Sequence, residues 1–480
     1  MNMLQHSFDL HSPRLMSRPV PMASRLIGAV SPLLFLALVA QAFFRTGVAS
    51  WGVGIVYILY DTALLAFTAW SILPLRHARL PAASGRSAPR PTLAVIVAAH
   101  NEAAVLGITI DTLARQDDPP DLIVLADDGS GDGSAEVLRR LYGLEPPARG
   151  EISGPAPGLP ALRWLRLPHG GKARALNAAI RQVDTDLVLT VDADTLLAPG
   201  ALAAMRDAFA AEPELVAATG VLVPICGPRP LARVFEAFQR YEYVRNFLSR
   251  YAWMKQDGLL LISGAFAGFR RDALVTVGGF DPDCMVEDYE LIHRLHRHSA
   301  DNARGWRVRV IGAAMASTDV PASPLAFLRQ RRRWFGGFLQ TQHWNRDMVG
   351  NPRFGRLGTR MLPVKALDTL QPVYGLTAFA ILLVIAALGR FQIVLPILAI
   401  MIAKVVVDLS FHLWSIGIYR RWTGHGEGLS RGQAVLLSFA EPFSFQLLRH
   451  AGAVWGWIAF LSGRETWVKQ QRTALTKLAE

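Results

Sequence analysis

The 480-residue chain has only two cysteines, Cys226 and Cys284, so it cannot rest on a disulfide framework, and a reducing compartment suits it. Charge is also sparse: Asp, Glu, Lys and Arg make up 18% of the chain, against a hydrophobic fraction of 51% and a mean hydropathy of +0.25. This balance points to one soluble unit plus a membrane part, not to soluble domains alone. Heptad repeats, internal repeats and long low-complexity stretches are lacking, which removes coiled-coil and solenoid architectures. Acidic residues are outnumbered 38 to 50, giving a net charge of +12. That excess could signal nucleic acid, but no binding module accompanies it. The cations instead cluster beside apolar runs, as they do when basic flanks face the cytoplasm and anionic membrane lipids.

An uncharged run at 26–44 approaches the roughly 20 residues that a spanning helix needs, and a second at 51–75 carries only Asp61. Arg14, Arg18 and Arg25 precede the first run, and Arg76, Arg79, Arg86 and Arg90 follow the second. The pattern predicts a cytoplasmic segment at 1–25 and a transmembrane hairpin at 26–75. Ala40-Gln41-Ala42 also imitates a signal-peptide cleavage site, and cleavage there would leave the following domain cytoplasmic. Two further runs, 372–389 and 391–414, are separated by Arg390. After Gln433 the pattern fits a tilted hairpin, a re-entrant pair or one long helix. Arg420, Arg421 and Arg431 before it, with Arg464, Lys469 and Arg472 after it, favour a hairpin. The expected membrane region is 371–462, with a cytoplasmic tail at 463–480.

Between these parts, 91–345 reads as an α/β domain. Apolar runs at 93–98, 122–126, 162–167 and 187–191 alternate with helical patterns, and each ends where a polar motif begins. Such alternation predicts a mostly parallel, Rossmann-type sheet with ligands at the carboxyl ends of its strands. The Gly- and Pro-rich stretch 143–160 reads as a surface insertion, because the alternation resumes after it.

The motifs follow in fixed order: Val95-Ile96-Val97-Ala98-Ala99-His100-Asn101-Glu102, Asp127-Asp128-Gly129-Ser130, Gly170-Gly171-Lys172-Ala173-Arg174-Ala175-Leu176-Asn177, Asp192-Ala193-Asp194, Val286-Glu287-Asp288 and Gln330-Arg331-Arg332-Arg333-Trp334. Each has a plain alternative. Asp-Gly-Ser and Asp-Ala-Asp occur as turns, Glu-Asp as a helix N-terminus, and the arginine run as an amphipathic helix with snorkelling side chains. Lys172 stands in a Gly-rich approach where a cation could meet a diphosphate.

Taken together, the ordered set resembles glycosyltransferase family 2, especially its membrane-integrated synthases of cellulose, chitin, hyaluronan and poly-N-acetylglucosamine, over most of the chain. The resemblance implies a GT-A-like cytoplasmic domain flanked by N- and C-terminal transmembrane helices. It implies Mg²⁺ or Mn²⁺ held by Asp194 and Asp192, since hard divalent ions take carboxylate oxygen and neutralise a diphosphate. Asp128, with Asp127 and Glu102, would form the nucleotide pocket, and Asp288 would be the general base. Gln330 and Arg333 would lie near the diphosphate and Trp334 beneath the acceptor sugar, leaving Arg331 and Arg332 as membrane-surface cations. Many processive relatives have Thr where Val286 stands. Trp467-Val468-Lys469-Gln470-Gln471-Arg472 loosely resembles a gating loop, with Trp467 and Arg472 as its candidates. Lys404, Asp408 and His412, one helical turn apart, either line a polymer channel or pair structurally as Lys404–Asp408 or Lys404–Asp61.

The resulting expectation is inverting transfer from a UDP-sugar, UDP-N-acetylglucosamine or UDP-glucose, to a growing β-linked polysaccharide at the inner membrane, coupled to export. An accessory export or regulatory subunit is compatible with this reading. One rival is transfer of a single sugar to a lipid acceptor such as polyprenyl phosphate or ceramide. Another is a noncatalytic receptor or assembly scaffold, against which the presence of Asp194, Asp288 and Trp334 counts.

Overall fold

The computed structural model describes residues 3–77, 90–424 and 430–463. Its centre is an eight-stranded sheet of β1 (Leu93–Ala99), β2 (Leu122–Asp128), β3 (Leu162–Leu167), β4 (Leu187–Asp192), β5 (Thr195–Leu197), β6 (Leu215–Ile225), β7 (Phe266–Arg270) and β8 (Arg307–Asp319). The order is β3-β2-β1-β4-β7-β6-β8-β5. The first four strands pair in parallel. Their continuous apolar character follows from burial on both faces: Leu93 to Val97 have no exposed surface. All four end at one edge, which places the polar motifs there together.

Beyond β4 the sheet is mixed. β7 runs antiparallel to β4 and β6, and β5 antiparallel to β8, while β6 and β8 are parallel. The insertion after the Ser134–Tyr142 helix folds back along β3. Gly150 N–H donates to Arg166 O at 2.7 Å and Ser153 N–H to Trp164 O at 2.8 Å, occupying part of that strand's outer edge.

Among the described residues, four helices are long and apolar enough to cross a membrane: Met22–Phe44, Gly47–His77, Leu357–Ala387 and Phe391–Thr423. The segment after Gln433, where a hairpin is expected from the sequence, is divided between two helices. Two short helices, Arg431–Ala440 of 10 residues and Phe445–Leu461 of 17, meet at Glu441–Phe443. The second lies against the Pro324–Trp344 helix so closely that a Cβ at Gly456 would stand 2.4 Å from Arg332 O. Glycine is required there because the two backbones nearly touch.

The arginines ahead of the first apolar helix are anchors as well as flanking charges. Arg14 grips the fully buried carboxylate of Asp281 through Nε at 3.2 Å and Nη2 at 3.1 Å, and reaches Asp283 at 3.0 Å. Arg18 holds Asp301 through two bonds of 2.6 and 3.1 Å. Phe8, on the Met3–His11 helix, lies under the Arg294 guanidinium at 4.9 Å. The segment before the first apolar helix therefore docks on the domain that follows the second.

A second tie lies among the apolar helices. Asp61 accepts from Arg245 at 2.6 Å and pairs with Lys404 at 2.7 Å, and Lys404 also pairs with Asp408. Both structural pairs expected from sequence form, and Arg245, on the Pro230–Met254 helix beside the sheet, completes a group of two cations and two anions. His412 instead stacks on Tyr241, with centroids 4.1 Å apart. Breaking a buried pair by removing one partner costs about 3–5 kcal/mol. Asp61→Asn and Lys404→Met should each lower the melting temperature of the nanodisc-held protein by several degrees and reduce its cellular level. Normal stability with impaired product export would instead favour a channel lining.

Candidate active site

The β2 carboxylates are committed to shaping loops. Asp127 Oδ1 accepts from Ser130 N–H at 2.8 Å, and Oδ2 from the buried Trp164 indole at 3.2 Å. Asp128 Oδ1 and Oδ2 accept from the Gly170 and Gly171 N–H groups at 2.7 and 2.9 Å. Asp128 thereby fixes the turn that delivers Lys172 to the first position of the Lys172–Ile180 helix. Glu102 is buried at the N-cap of the Ala103–Ala114 helix, on the same strand-end edge.

Two histidines missed in the sequence join Asp128. The His100 and His169 rings stack at 4.3 Å, and their Nδ1 atoms lie 2.8 and 3.1 Å from Asp128 O. His100, Asp128 and His169 each offer a ligand atom within 4.8 Å of the others, a set that could hold a metal ion. The signal was available: His100 follows the β1 run and His169 precedes the Gly-Gly pair.

The densest chemistry surrounds Lys172. Its Nζ lies 2.5 Å from Asp192 Oδ1 and 3.7 Å from Glu287 Oε1, and donates to Gly264 O at 3.5 Å. Burial opposes the ammonium charge, but Asp192, Glu287 and Asp288 outweigh it and raise the pKa above the ordinary lysine value. Burial raises the Glu287 pKa, with Asp288 adding to it against the opposing pull of Lys172 and Arg333. Asp194, two residues beyond Asp192, is buried, and its main-chain O accepts from Asp319 N–H at 3.3 Å.

Asp288 lies in the first turn of the Glu287–Asp301 helix. Its Oδ2 accepts from Gly264 N–H at 2.7 Å and its Oδ1 from its neighbour Tyr289 N–H at 2.8 Å. A Cβ at residue 264 would fall 3.0 Å from Oδ2 and crowd the carboxylate. Sequence reading passed over Gly264 because it is 24 residues from Asp288 and forms no motif of its own. Val286 occupies the N-cap, where a Thr hydroxyl could cap the helix. Its side chain instead packs at Gly337.

The Pro324–Trp344 helix carries the arginine run. Arg333 Nη1 donates to Met285 O at 3.2 Å, and its charge acts on Glu287, which brings it to the Lys172 cluster. Gln330 Oε1 is shielded from solvent, with no hydrogen-bond partner among the described residues. Trp334 is partly buried and packs on the main core. Arg331 departs from the membrane-surface role expected of it. It is 3% exposed, donates to Glu242 at 2.7 Å, and lies 4.5 Å from the Trp334 and Phe327 rings. A buried carboxylate recruits it inward. Arg332 lies over Trp455 at 5.0 Å. Trp467 and Arg472 lie outside the described residues. The cluster thus unites Lys172, Asp192, Glu287, Asp288 and Arg333, while Asp127 turns away to Trp164.

Residues 89–337 match the model of the family described as glycosyltransferase like family 2. The chain is 26% identical over 295 residues to poly-beta-1,6-N-acetyl-D-glucosamine synthase of Staphylococcus aureus (strain COL), covering 60% of this chain and 63% of that protein. The synthase of the same name from Staphylococcus epidermidis is 25% identical over 300 residues, 62% of this chain and 66% of that protein. The curated relatives are therefore matched over less than two thirds of their length. The fold is also that of a mannosyltransferase from Pyrobaculum calidifontis, solved in complex with GDP-Man and Mn2+. The TM-score is 0.55 at 22% identity, covering 86% of this chain and all of that one.

The Asp128 arrangement can be tested without a substrate. Asn at 128 would set an NH₂ group against one of two N–H donors, leaving that donor without an acceptor at a cost of about 1–3 kcal/mol. Asp128→Asn should lower the melting temperature and speed amide hydrogen exchange at 169–172. Unchanged exchange there would show that the turn holds without the carboxylate.

Proposed function

Because the chain belongs to glycosyltransferase-like family 2, we propose that it is a membrane-bound inverting transferase that moves a sugar from a UDP-sugar, UDP-N-acetylglucosamine or UDP-glucose, onto a growing β-linked polysaccharide and couples elongation to export. The observation carrying this reading is Asp288 held by Gly264 N–H beside the Lys172, Asp192, Glu287 and Arg333 cluster: a proton acceptor next to a place for a diphosphate. Polymer synthesis is supported by the staphylococcal synthases.

In the proposed reaction the acceptor hydroxyl oxygen attacks the anomeric carbon as its proton passes to Asp288. The bond from that carbon to the diphosphate oxygen breaks, and its electron pair leaves with UDP. Attack opposite the leaving group turns an α-linked donor into a β-linked product. Lys172 and Arg333 lie close enough to the cluster to face the phosphate oxygens. Asp192, at the end of β4 beside that place, and Asp194, two residues on, offer hard carboxylate oxygens, which suit Mg²⁺ or Mn²⁺ better than the imidazole-bearing His100–Asp128–His169 set does. Such an ion, when bound, would neutralise the leaving diphosphate.

The docking contacts support a topology. Arg14 and Arg18 bind the domain that follows the second apolar helix, so the first two helices would cross the membrane as a pair. The Phe445–Leu461 helix contacts the Pro324–Trp344 helix, which asks the same of the next two. With the basic flanks this favours a cytoplasmic catalytic domain on a multi-pass protein of the inner membrane.

The deciding experiment offers nanodisc-held protein a panel of radiolabelled UDP-sugars with Mg²⁺ or Mn²⁺ and sizes the product. High-molecular-weight product from one donor is expected. A single added sugar on a lipid would move the assignment to a lipid glycosyltransferase, and no turnover would favour a missing subunit or a scaffold. Asp288→Asn should lower kcat by about 10²- to 10⁴-fold, measured on folded protein at a temperature below the melting point of the variant. Retained turnover would exclude Asp288 as the base.

A further inference from the structure

His100 and His169 have no role in the scheme above, yet the sheet itself carries both to Asp128. The order β3-β2-β1 puts β2 in the middle, and the register pairs Ala99 with Asp127 and Asp128 with Leu167. His100 is therefore level with Asp128 on one side, and His169 lies two residues beyond its partner on the other. Neighbouring strands stand only about 4.8 Å apart, so this register brings the three side chains together. The loops between them are pinned. Asn101 N–H donates to Ser130 Oγ at 2.9 Å, and Gly131 N–H to Asn101 Oδ1 at 2.7 Å. Gly129, at φ +71°, admits the third loop: a Cβ there would fall 2.6 Å from His169 N.

The two imidazoles are aimed at one residue. Their rings stack with an interplanar angle of 27°, and both Nδ1 atoms meet Asp128 O. A carbonyl oxygen only accepts, so each ring points an Nδ1–H at the same place. His169 Nδ1 is also 2.9 Å from Asp128 Oδ2. Two ligands of one zinc ion, each about 2.0–2.2 Å from the metal, stand roughly 3 Å apart, so this pair is already near ligand spacing. An ion can reach it, because the His169 side chain is 57% exposed. Gly170 and Gly171 N–H hold the Asp128 carboxylate in place, and an oxygen that accepts one such bond keeps a second lone pair for a metal.

The donor set selects the ion. Two imidazole nitrogens and a carboxylate suit Zn²⁺, whereas Mg²⁺ prefers oxygen alone and would go to Asp192 and Asp194. We propose that His100, Asp128 and His169 form a Zn²⁺ site separate from those two carboxylates, and that the bound ion inhibits transfer by occupying the carboxylate that resemblance assigns to the nucleotide. The inhibition rests on the transfer reaction proposed above, and the binding does not.

The test uses the full chain in nanodiscs, without a polyhistidine tag, cleared of metal with EDTA and returned to Mg²⁺. Zn²⁺ titrated against a chromophoric chelator should show one tightly held ion per chain. Co²⁺ in its place should give a visible d–d band without the thiolate charge-transfer band that Cys226 or Cys284 would add. His100→Gln and His169→Gln should each weaken Zn²⁺ binding about tenfold or more, since losing even a supporting partner of a metal ligand costs that much. Either variant suffices if the other is poorly folded by melting temperature. At a free Zn²⁺ level that halves wild-type turnover, each variant should keep nearly all of its own zinc-free rate. Unchanged Zn²⁺ binding in both variants, or a thiolate band, would overturn the site. Equal inhibition of wild type and variants would overturn the inhibitory role and assign it to Asp192 and Asp194. A wild type that transfers no sugar would remove the reaction, a separate result, and the titration would still decide the site.

Discussion

Charge that cannot reach water has to find charge, and that constraint joins the membrane part of this protein to its catalytic sheet. The Pro230–Met254 helix carries both connections. Arg245 holds Asp61 of the second apolar helix, and Glu242, three residues earlier, holds Arg331 at 2.7 Å and Arg449 at 3.6 Å. Residues three apart share a helix face. One face therefore fixes the apolar helices, the arginine-bearing helix and the Phe445–Leu461 helix relative to one another. Each carboxylate serves two cations, so no single tie can slide without leaving another charge uncompensated.

The same economy operates at the strand ends. Asp192, Glu287 and Asp288 would repel one another, yet they converge because Lys172 lies among them. Lys172 is delivered there by a turn whose N–H groups are held by Asp128. On the proposed reading, a residue that resemblance assigns to the nucleotide pocket would thus also build the approach for the diphosphate. On the proposed reading these roles are compatible, because a nucleotide lying along the strand ends would cross both.

The parallel half of the sheet was legible because burial on both faces leaves an unbroken apolar run, and each run stopped within two residues of its structural end. The mixed half was not. β5 is three residues long, and the β6–β8 pairing is broken by register shifts, so neither leaves a clean period. The site divides in a similar way. Asp192, Asp194 and Asp288 follow strands or open a helix, positions that sequence can locate. Gly264 and Glu242 act through partners that sequence does not place. Arg331 is the clearest case: a snorkelling and a buried arginine look alike until Glu242, 89 residues away, is found beside it.

Glu287 and Asp288 are adjacent in sequence, but their surroundings separate their tasks. Glu287 faces Lys172 and Arg333, and burial raises its pKa, so it belongs to the cationic side of the cluster. Asp288 turns toward Gly264, and two main-chain N–H groups fix its carboxylate. A proton acceptor must meet the incoming hydroxyl in one orientation, and main-chain donors set that orientation more rigidly than a flexible lysine could. The helix N-terminus supplies both carboxylates with a favourable field. Val286 at the N-cap completes the arrangement by packing against Gly337, so the helix start is located by contact with the arginine-bearing helix where a hydroxyl cap would have located it by hydrogen bonding alone. On the proposed reading, the base is thereby referenced to the same helix that carries Arg333, and donor and acceptor would be positioned against one rigid element.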